Sequence, residues 1–535
     1  MRNYKFYILP LSLFVISAIT ACIKDNPAEQ EEQYIQEIPV ELQLKFSISG
    51  TDGQTRNVVD GILPGQSDEN RITSLTVFVI DLDQSDNLIW NSVKYSTLPK
   101  TTAPNQINVN IKTRTGKKYI YAGANMSPAQ RESFCANQGV YTSSGTTYHE
   151  TIGDFVDLTG RGIVMFGQVV MESNSNPVIE ITGPSDSTNP IETKLELSRV
   201  VSKVALTYTP ETPGNDGYMK IHNDINGFIK SEDVYFMLNI TNKSIRFTEI
   251  NTPNYVMSDY LSYNTDTNHH TLYYYLKDPT NNFMFYTPEE EVYGAGDSDF
   301  FPTKKMILPV DINPGDDNPY HKGLDKYDYT ELKHYNSSLY CLENTVNTTG
   351  FAPVEIGPVR HGINTQIIAA AKFTPGIINH YQEKTDGSGT YEIKEIIITS
   401  SPGDAGIMNS ITGGDPNGPG TFYAVFELEG TGGSPNLYTY YTHAAKQYLE
   451  ANPPGGNIMH FITYTGGYGY YATFISQPVS PLSDEDYDLE RNHYYILNVT
   501  EMRPPGAVYP QQIYMLVNSE TNEWISKKEI IVPID

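Results

Sequence analysis

Two residues near the N-terminus carry the clearest chemistry in the chain. Cys22 closes the run Ile19-Thr20-Ala21-Cys22, small residues before a thiol. Arg56 stands alone in the soft loop GTDGQTRNVVDG, a segment open to proteolysis ahead of Asn57. The other reactive side chains form no constellation. Cys135 and Cys341 have no CxxC spacing, and each falls in a different expected domain. His269 and His270 are adjacent, so on a strand they would point to opposite faces and make a poor metal pair. Asp81 to Asn87 has the acidic look of a calcium loop, but Ser92 holds the twelfth position where a Glu is needed, which favours a hairpin turn. The glycines of Ile462 to Ile475 lack the strand-to-helix context of a phosphate loop, and no GxSxG, HExxH or kinase pattern occurs. No catalytic residue, metal or cofactor is therefore expected. A glycan-binding or hydrolytic surface protein would need a carboxylate pair or an aromatic platform in a cleft, which spacing along a chain does not reveal.

The elements around these residues are mostly strands. Met1 to Ala21 has Arg2 and Lys5 ahead of a short apolar run and is a targeting segment; with Cys22 it resembles the lipobox of bacterial lipoproteins. Lys24 to Gln36 is a polar, acidic tether. Then comes Val40, Leu42, Leu44, Phe46 and Ile48, alternating with polar residues in the period of a strand with one buried face. A core strand just upstream of a cut site is an awkward placement, because cutting at Arg56 would remove it. Further strands are expected at Ile72–Ile80, at the alternating Ile107, Val109 and Ile111, and at Lys117–Asn125, Ile163–Val170 and Val234–Ile240. Later ones are expected at Ser338–Leu342, Ile363–Phe373, Tyr391–Ile398, Phe422–Leu428, Ile462–Ile475 and Tyr494–Thr500. In Leu195–Tyr208 the apolar phase changes at Arg199-Val200, as at a β-bulge. Two short helices are expected, Ser127–Gln138 with Ser127 as N-cap and Pro128 at N1, and Thr442–Ala451. Thr252 to His334 is loop-rich. After the Pro-rich hinge Met502–Pro510 come Ile513–Val517, a turn at Asn518–Asn522, and Trp524–Ile534, which form either a projecting arm or the last strand pair of their own domain.

With 535 residues the chain can hold two or three domains, and 40 Tyr, 41 Gly and 34 Pro suit strands and turns. A formal net charge of -27 argues against nucleic acid as a partner, since phosphates need a basic face.

The order of several stretches resembles the fimbrillins, the type V pilin subunits of certain Gram-negative anaerobes, most nearly the short-fimbria shaft subunits. The lipobox at Cys22, the alternating strand and Arg56 come in the family's order. Glu69–Asp81 (ENRITSLTVFVID) looks like the first mature strand and Gly116–Asn125 (GKKYIYAGAN) like a later one. LELSRVVSKVALTY, Leu339–Thr345 with Ile363–Pro375, and Arg491–Gly506 match in turn; the loops of Thr252–His334 do not. The resemblance implies an all-β fold of two tandem transthyretin-like β-sandwiches. Its organisation would be residues 1–21 as lipoprotein signal peptide, 22–56 as propeptide, 57–250 and 251–505 as pilin domains, and 506–535 as a C-terminal donor-strand arm.

It also implies a mechanism. Lipid on Cys22 carries the precursor to the outer membrane while Val40–Ile48 temporarily completes the first domain. An arginine-specific protease cuts between Arg56 and Asn57, the strand leaves, and the arm of another copy or a related pilin takes its place by β-strand addition. Donor positions would be Ile513, Met515 and Val517, then Trp524, Ile530, Val532 and Ile534. Five apolar side chains in such a groove contribute roughly 7–15 kcal/mol gross. The product is an extracellular fimbrium, with a host or bacterial surface receptor as a further partner and no enzymatic activity. A tip or accessory adhesin of the same fold is the alternative, and a surface glycan-binding lipoprotein the third reading.

Overall fold

The computed structural model describes residues 39–48, 68–99, 107–145, 148–184, 191–195, 197–211, 217–239, 241–242, 244–248, 255–256, 322–323, 325–326, 338–344, 346–347, 365–400, 405–427, 437–475, 489–507 and 516–523. These residues form an all-β protein with a few short helices. The main strands are β1 (Pro39–Ile48), β2 (Ser74–Asp81), β3 (Lys94–Pro99), β4 (Ile107–Arg114), β5 (Gly116–Ala124), β6 (Met165–Met171), β7 (Ile191–Leu195), β8 (Val201–Tyr208), β9 (Gly227–Asn239) and β10 (Ser338–Leu342). They continue as β11 (Gln366–Pro375), β12 (Ile377–Glu383), β13 (Tyr391–Ile397), β14 (Phe422–Glu427), β15 (Leu437–Tyr441), β16 (Ile462–Tyr464), β17 (Tyr468–Phe474), β18 (His493–Glu501) and β19 (Leu516–Glu523).

Four larger sheets result. The first has the main order β3-β2-β5-β6-β7-β1-β4. The second runs from Asp325–Lys326 through β8 and β18 to β19, with β10 also on β8. The third joins Lys322–Gly323, β9, β11 and β17, and the fourth has the order β13-β12-β15-β14-β16.

The layers follow from which strands have two buried faces. Six successive residues of β2 are buried. Leu75, Val77 and Val79 enter one core with Ile120 and Leu195, while Phe78 and Ile80 enter another with Phe134 and Phe166. That second core also takes Val201 and Ala205 of β8 and Tyr494 and Ile496 of β18, so the first and second sheets share it. The opposite face of the second sheet, with Val204, Leu206 and Leu497, packs on Phe236, Ile367 and Ala369 of the third. All eight residues of β8 are accordingly buried. A strand covered on both faces loses its alternation.

This layering corrects one expectation. The phase change at Arg199-Val200 is not a bulge within one strand. Ser198 and Arg199 pair with β6 of the first sheet, and from Val201 the chain pairs with β10 and β18 of the second. The strand changes sheets there, and the inward-facing set changes with it. β8 and β9 belong with strands from residue 338 onward, while Ser244–Arg246 pair back with Val140–Thr142, and Ile245 and Phe247 enter the core of Phe78 and Phe134.

The helices obey their caps. In α1 (Pro128–Ala136) Ser127 accepts from the Gln130 N–H at 3.2 Å, and the Gln130 side chain accepts from the Ser127 N–H at 2.8 Å, closing a capping box with Pro128 in the first turn. Thr442 caps α4 (His443–Ala451). Two further helices, α2 (Tyr148–Gly153) and α3 (Ala405–Thr412), lie where the sequence reading placed none. At Asp81 to Asn87 the chain makes a turn: Asp83 accepts from the N–H groups of Ser85 and Asn87 at 2.8 and 2.9 Å. Cys135 and Cys341 are both free thiols.

A buried ionic cluster fastens Glu69 and Asn70 to the second sheet. Glu69, fully buried, accepts from Lys203 Nζ and from the Tyr340 hydroxyl, each at 2.7 Å. Arg199 donates to the Glu69 carbonyl at 3.3 Å and to Asn70 Oδ1. Lys203 also lies 4.9 Å from the centre of the Tyr494 ring. Burial pushes the Arg199 guanidinium down to about 10, opposed by the charge of Glu69, and lowers Lys203 in the same way. Truncating Glu69 leaves two cations facing each other in a dry core. Glu69→Ala is expected to cost about 3–5 kcal/mol, measured as a lowered urea midpoint of the full chain. A midpoint within error of the parent would refute this.

Candidate functional site

The candidate site is the seat of β1. The strand does not lie at an edge. It pairs antiparallel with β4 over eight residue pairs, from Pro39↔Arg114 to Phe46↔Ile107. On its other side it pairs parallel with β7 over five, from Leu44↔Ile191 to Ile48↔Leu195. Cross-strand partners share a face of the sheet. Leu42, Leu44 and Phe46 thus stand level with Ile111, Val109 and Ile107, and Phe46 and Ile48 stand level with Thr193 and Leu195. Of those partners Ile111, Thr193 and Leu195 are buried, with Ile111 and Leu195 in the core that also holds Leu75 and Val77. The apolar phase of β1 therefore matches that of both neighbours.

Two consequences follow from the strand order. In the ladders given for the described residues, β4 pairs with β1, and β1 is what connects it to β7. β1 thus bridges the two. Arg56 also lies between β1 and Asp68, the next described residue, so a cut there severs β1 from the chain behind it. Cys22, Arg56 and Asn57 themselves lie outside the described residues.

The five residues expected on the removable strand, Val40, Leu42, Leu44, Phe46 and Ile48, all fall in β1. The parallel partner β7 was missed apart from Leu195. Its signal was present in the alternation Ile191, Thr193, Leu195, with Thr193 and Leu195 buried, but a threonine in mid-pattern hides so short a strand.

At the C-terminus the expected turn at Asn518–Asn522 is overturned. Leu516–Glu523 is one continuous strand, β19, paired antiparallel with β18 from Val517↔Val499 to Glu523↔His493. Polar residues such as Asn518, Ser519 and Glu520 have weak strand preference, but the edge of β18 offers a backbone ladder that outweighs it. Of the expected donor residues Val517 is thus paired within its own chain, while Ile513, Met515, Trp524, Ile530, Val532 and Ile534 lie outside the described residues.

No family model matches the chain, and no curated protein matches it. Among solved structures, its neighbours include fimbrial and cell-adhesion proteins. A putative cell adhesion protein from Parabacteroides distasonis is 12% identical, over 91% of this chain and 100% of that one, with a TM-score of 0.41. A fimbrilin from Porphyromonas gingivalis W83 is 13% identical over 90% and 98%, with a TM-score of 0.38. A tip fimbrial protein from Porphyromonas gingivalis is 12% identical over 90% and 100%, with a TM-score of 0.32.

Proposed function

We propose that the chain is a structural subunit of a cell-surface fimbrium, exported as a lipoprotein on Cys22, cut after Arg56 and polymerised head to tail by strand exchange. The observation that carries this reading is the place of β1: an interior strand, in register on both sides, with Arg56 between it and the next described residue in sequence. In this reading β1 keeps the apolar edges of β4 and β7 covered until the subunit reaches the surface, because exposed edges template unwanted pairing. Two tandem β-sandwiches provide the acceptor groove in the first and the donor segment at the end of the second. The role is structural and adhesive rather than catalytic.

The test is N-terminal sequencing of the protein recovered from the cell surface. Asn57 as the first residue is the expected result. Retention of an acylated Cys22 in the assembled form would overturn the reading in favour of a permanently anchored lipoprotein.

A further inference from the structure

A cleft of about 610 Å³ opens where the fourth sheet meets the loops at 224–226 and 503–506. That volume is in the range of small-molecule sites. Phe426, Tyr438 and Tyr440 provide its aromatic lining. Phe426 and Tyr438 are cross-strand partners on β14 and β15, with ring centres 5.3 Å apart. Tyr438 and Tyr440 follow along β15 at 6.4 Å, with their planes only 23° apart. Phe426 is 40% exposed, so apolar ring surface is open to a ligand.

Polar groups line the same cleft. Asp224 and Arg503 approach to 3.7 Å, Asp224 also pairs with His222, and Glu395 on β13 is exposed. Asn379 is oriented by donating to the Tyr440 carbonyl at 3.2 Å. An ionised carboxylate only accepts hydrogen bonds, a guanidinium only donates, and an amide does both. A ligand that satisfies all three must present donors and acceptors side by side next to an apolar face. A fatty or purely aromatic ligand would take Glu395 out of water and give it nothing to accept from, which is costly. A pyranose ring has the required form: its C–H face lies on an aromatic ring while its hydroxyls both donate and accept at the edge. Two carboxylates at the cleft, on a chain of net charge -27, repel uronic and sialic acids.

We infer that this cleft binds a neutral pyranose oligosaccharide, with Phe426 as the stacking ring, Tyr438 tilted 57° beside it as a side wall, and Glu395 and Arg503 on the ring hydroxyls. The site is remote in sequence from the β1 seat, and the inference stands whether or not the chain polymerises.

The experiment applies the purified full chain to an array of neutral, uronic and sialylated oligosaccharides, then titrates the best neutral binder. Phe426→Ala and Glu395→Gln are each expected to weaken it about tenfold or more. Both positions are exposed, so neither change should prevent folding. Tyr391→Ala, at a 56% exposed position of the same sheet outside the cleft, should bind like the parent. Retention of no neutral oligosaccharide, or of acidic ones alone, overturns the inference. So does parental affinity in either cleft variant, or an equal loss in Tyr391→Ala.

Discussion

An arginine-specific protease added to the folded precursor is expected to convert a monomer into filaments, and Arg56→Ala to block the conversion almost completely. The expectation rests on what the cut changes. It removes no contact of β1 at first: the eight pairs with β4 and the five with β7 remain. It removes the tether. Before the cut, a strand that frays is held near its groove at an effective concentration of about millimolar; afterwards it dissociates as a dilute peptide. The strand's gross apolar contribution of roughly 7–15 kcal/mol makes spontaneous release slow, so filaments should appear with a lag after cleavage is complete. Excess synthetic peptide Pro39–Ile48 should prolong that lag. The ladder partners add a local signature. In a cleaved subunit kept too dilute to polymerise, the amides of β4 should lose hydrogen-exchange protection, because their ladder is with β1, and should regain it in the filament. Light scattering and electron microscopy read the polymer. A cleaved chain that stays monomeric at high concentration, or filaments from Arg56→Ala, would contradict the mechanism.

Particular residues show where sequence pattern was informative and where it failed. β1 was legible because one face is apolar along its whole length, and the α1 cap because Ser127, Pro128 and Gln130 act within one turn. The single strand expected over Ile462–Ile475 is instead two, Ile462–Tyr464 and Tyr468–Phe474, parted at Gly466 and Gly467, whose φ of 61° and 83° favours glycine. The sheet change at Val200 was not legible. Its cause lies almost three hundred residues away, in the pairing of Lys203 to Tyr208 with Tyr494 to Val499. The same distance hid Glu69, which reads as a surface acid until Lys203 and Tyr340 close around it. β19 failed for a related reason. A polar edge strand is specified by the neighbour it pairs with, and local composition favours a turn. The aromatic cleft was invisible because Phe426, Asn379 and Arg503 come from separate segments, brought together where the fourth sheet meets the loop at 503–506.

Deleting Trp524–Asp535 should leave a folded subunit that is cut normally yet forms no filaments. The choice of boundary comes from β19. Because Leu516–Glu523 covers the edge of β18, a truncation beginning at Trp524 keeps the second sheet intact. One beginning at Leu516 bares that edge and should raise self-association and lower solubility without ordered growth. The shorter truncation removes Trp524, Ile530, Val532 and Ile534 and so withdraws their apolar contribution from the groove between β4 and β7. The groove itself remains, so the truncated subunit should still accept a donor. Mixed with full-length cleaved subunits it should end growing chains, and mean filament length should fall as its proportion rises. This follows from a heterologous contact, in which one end donates and the other accepts. A subunit whose natural role is at the tip would also accept without donating, and its full-length form would then behave like the truncated one in the mixture. Filaments of normal length from Trp524–Asp535-deleted chains alone would place the donor elsewhere. If only the Leu516 truncation abolished ordered growth, β19 would be the donor, and its pairing with β18 would be the resting state that exchange replaces.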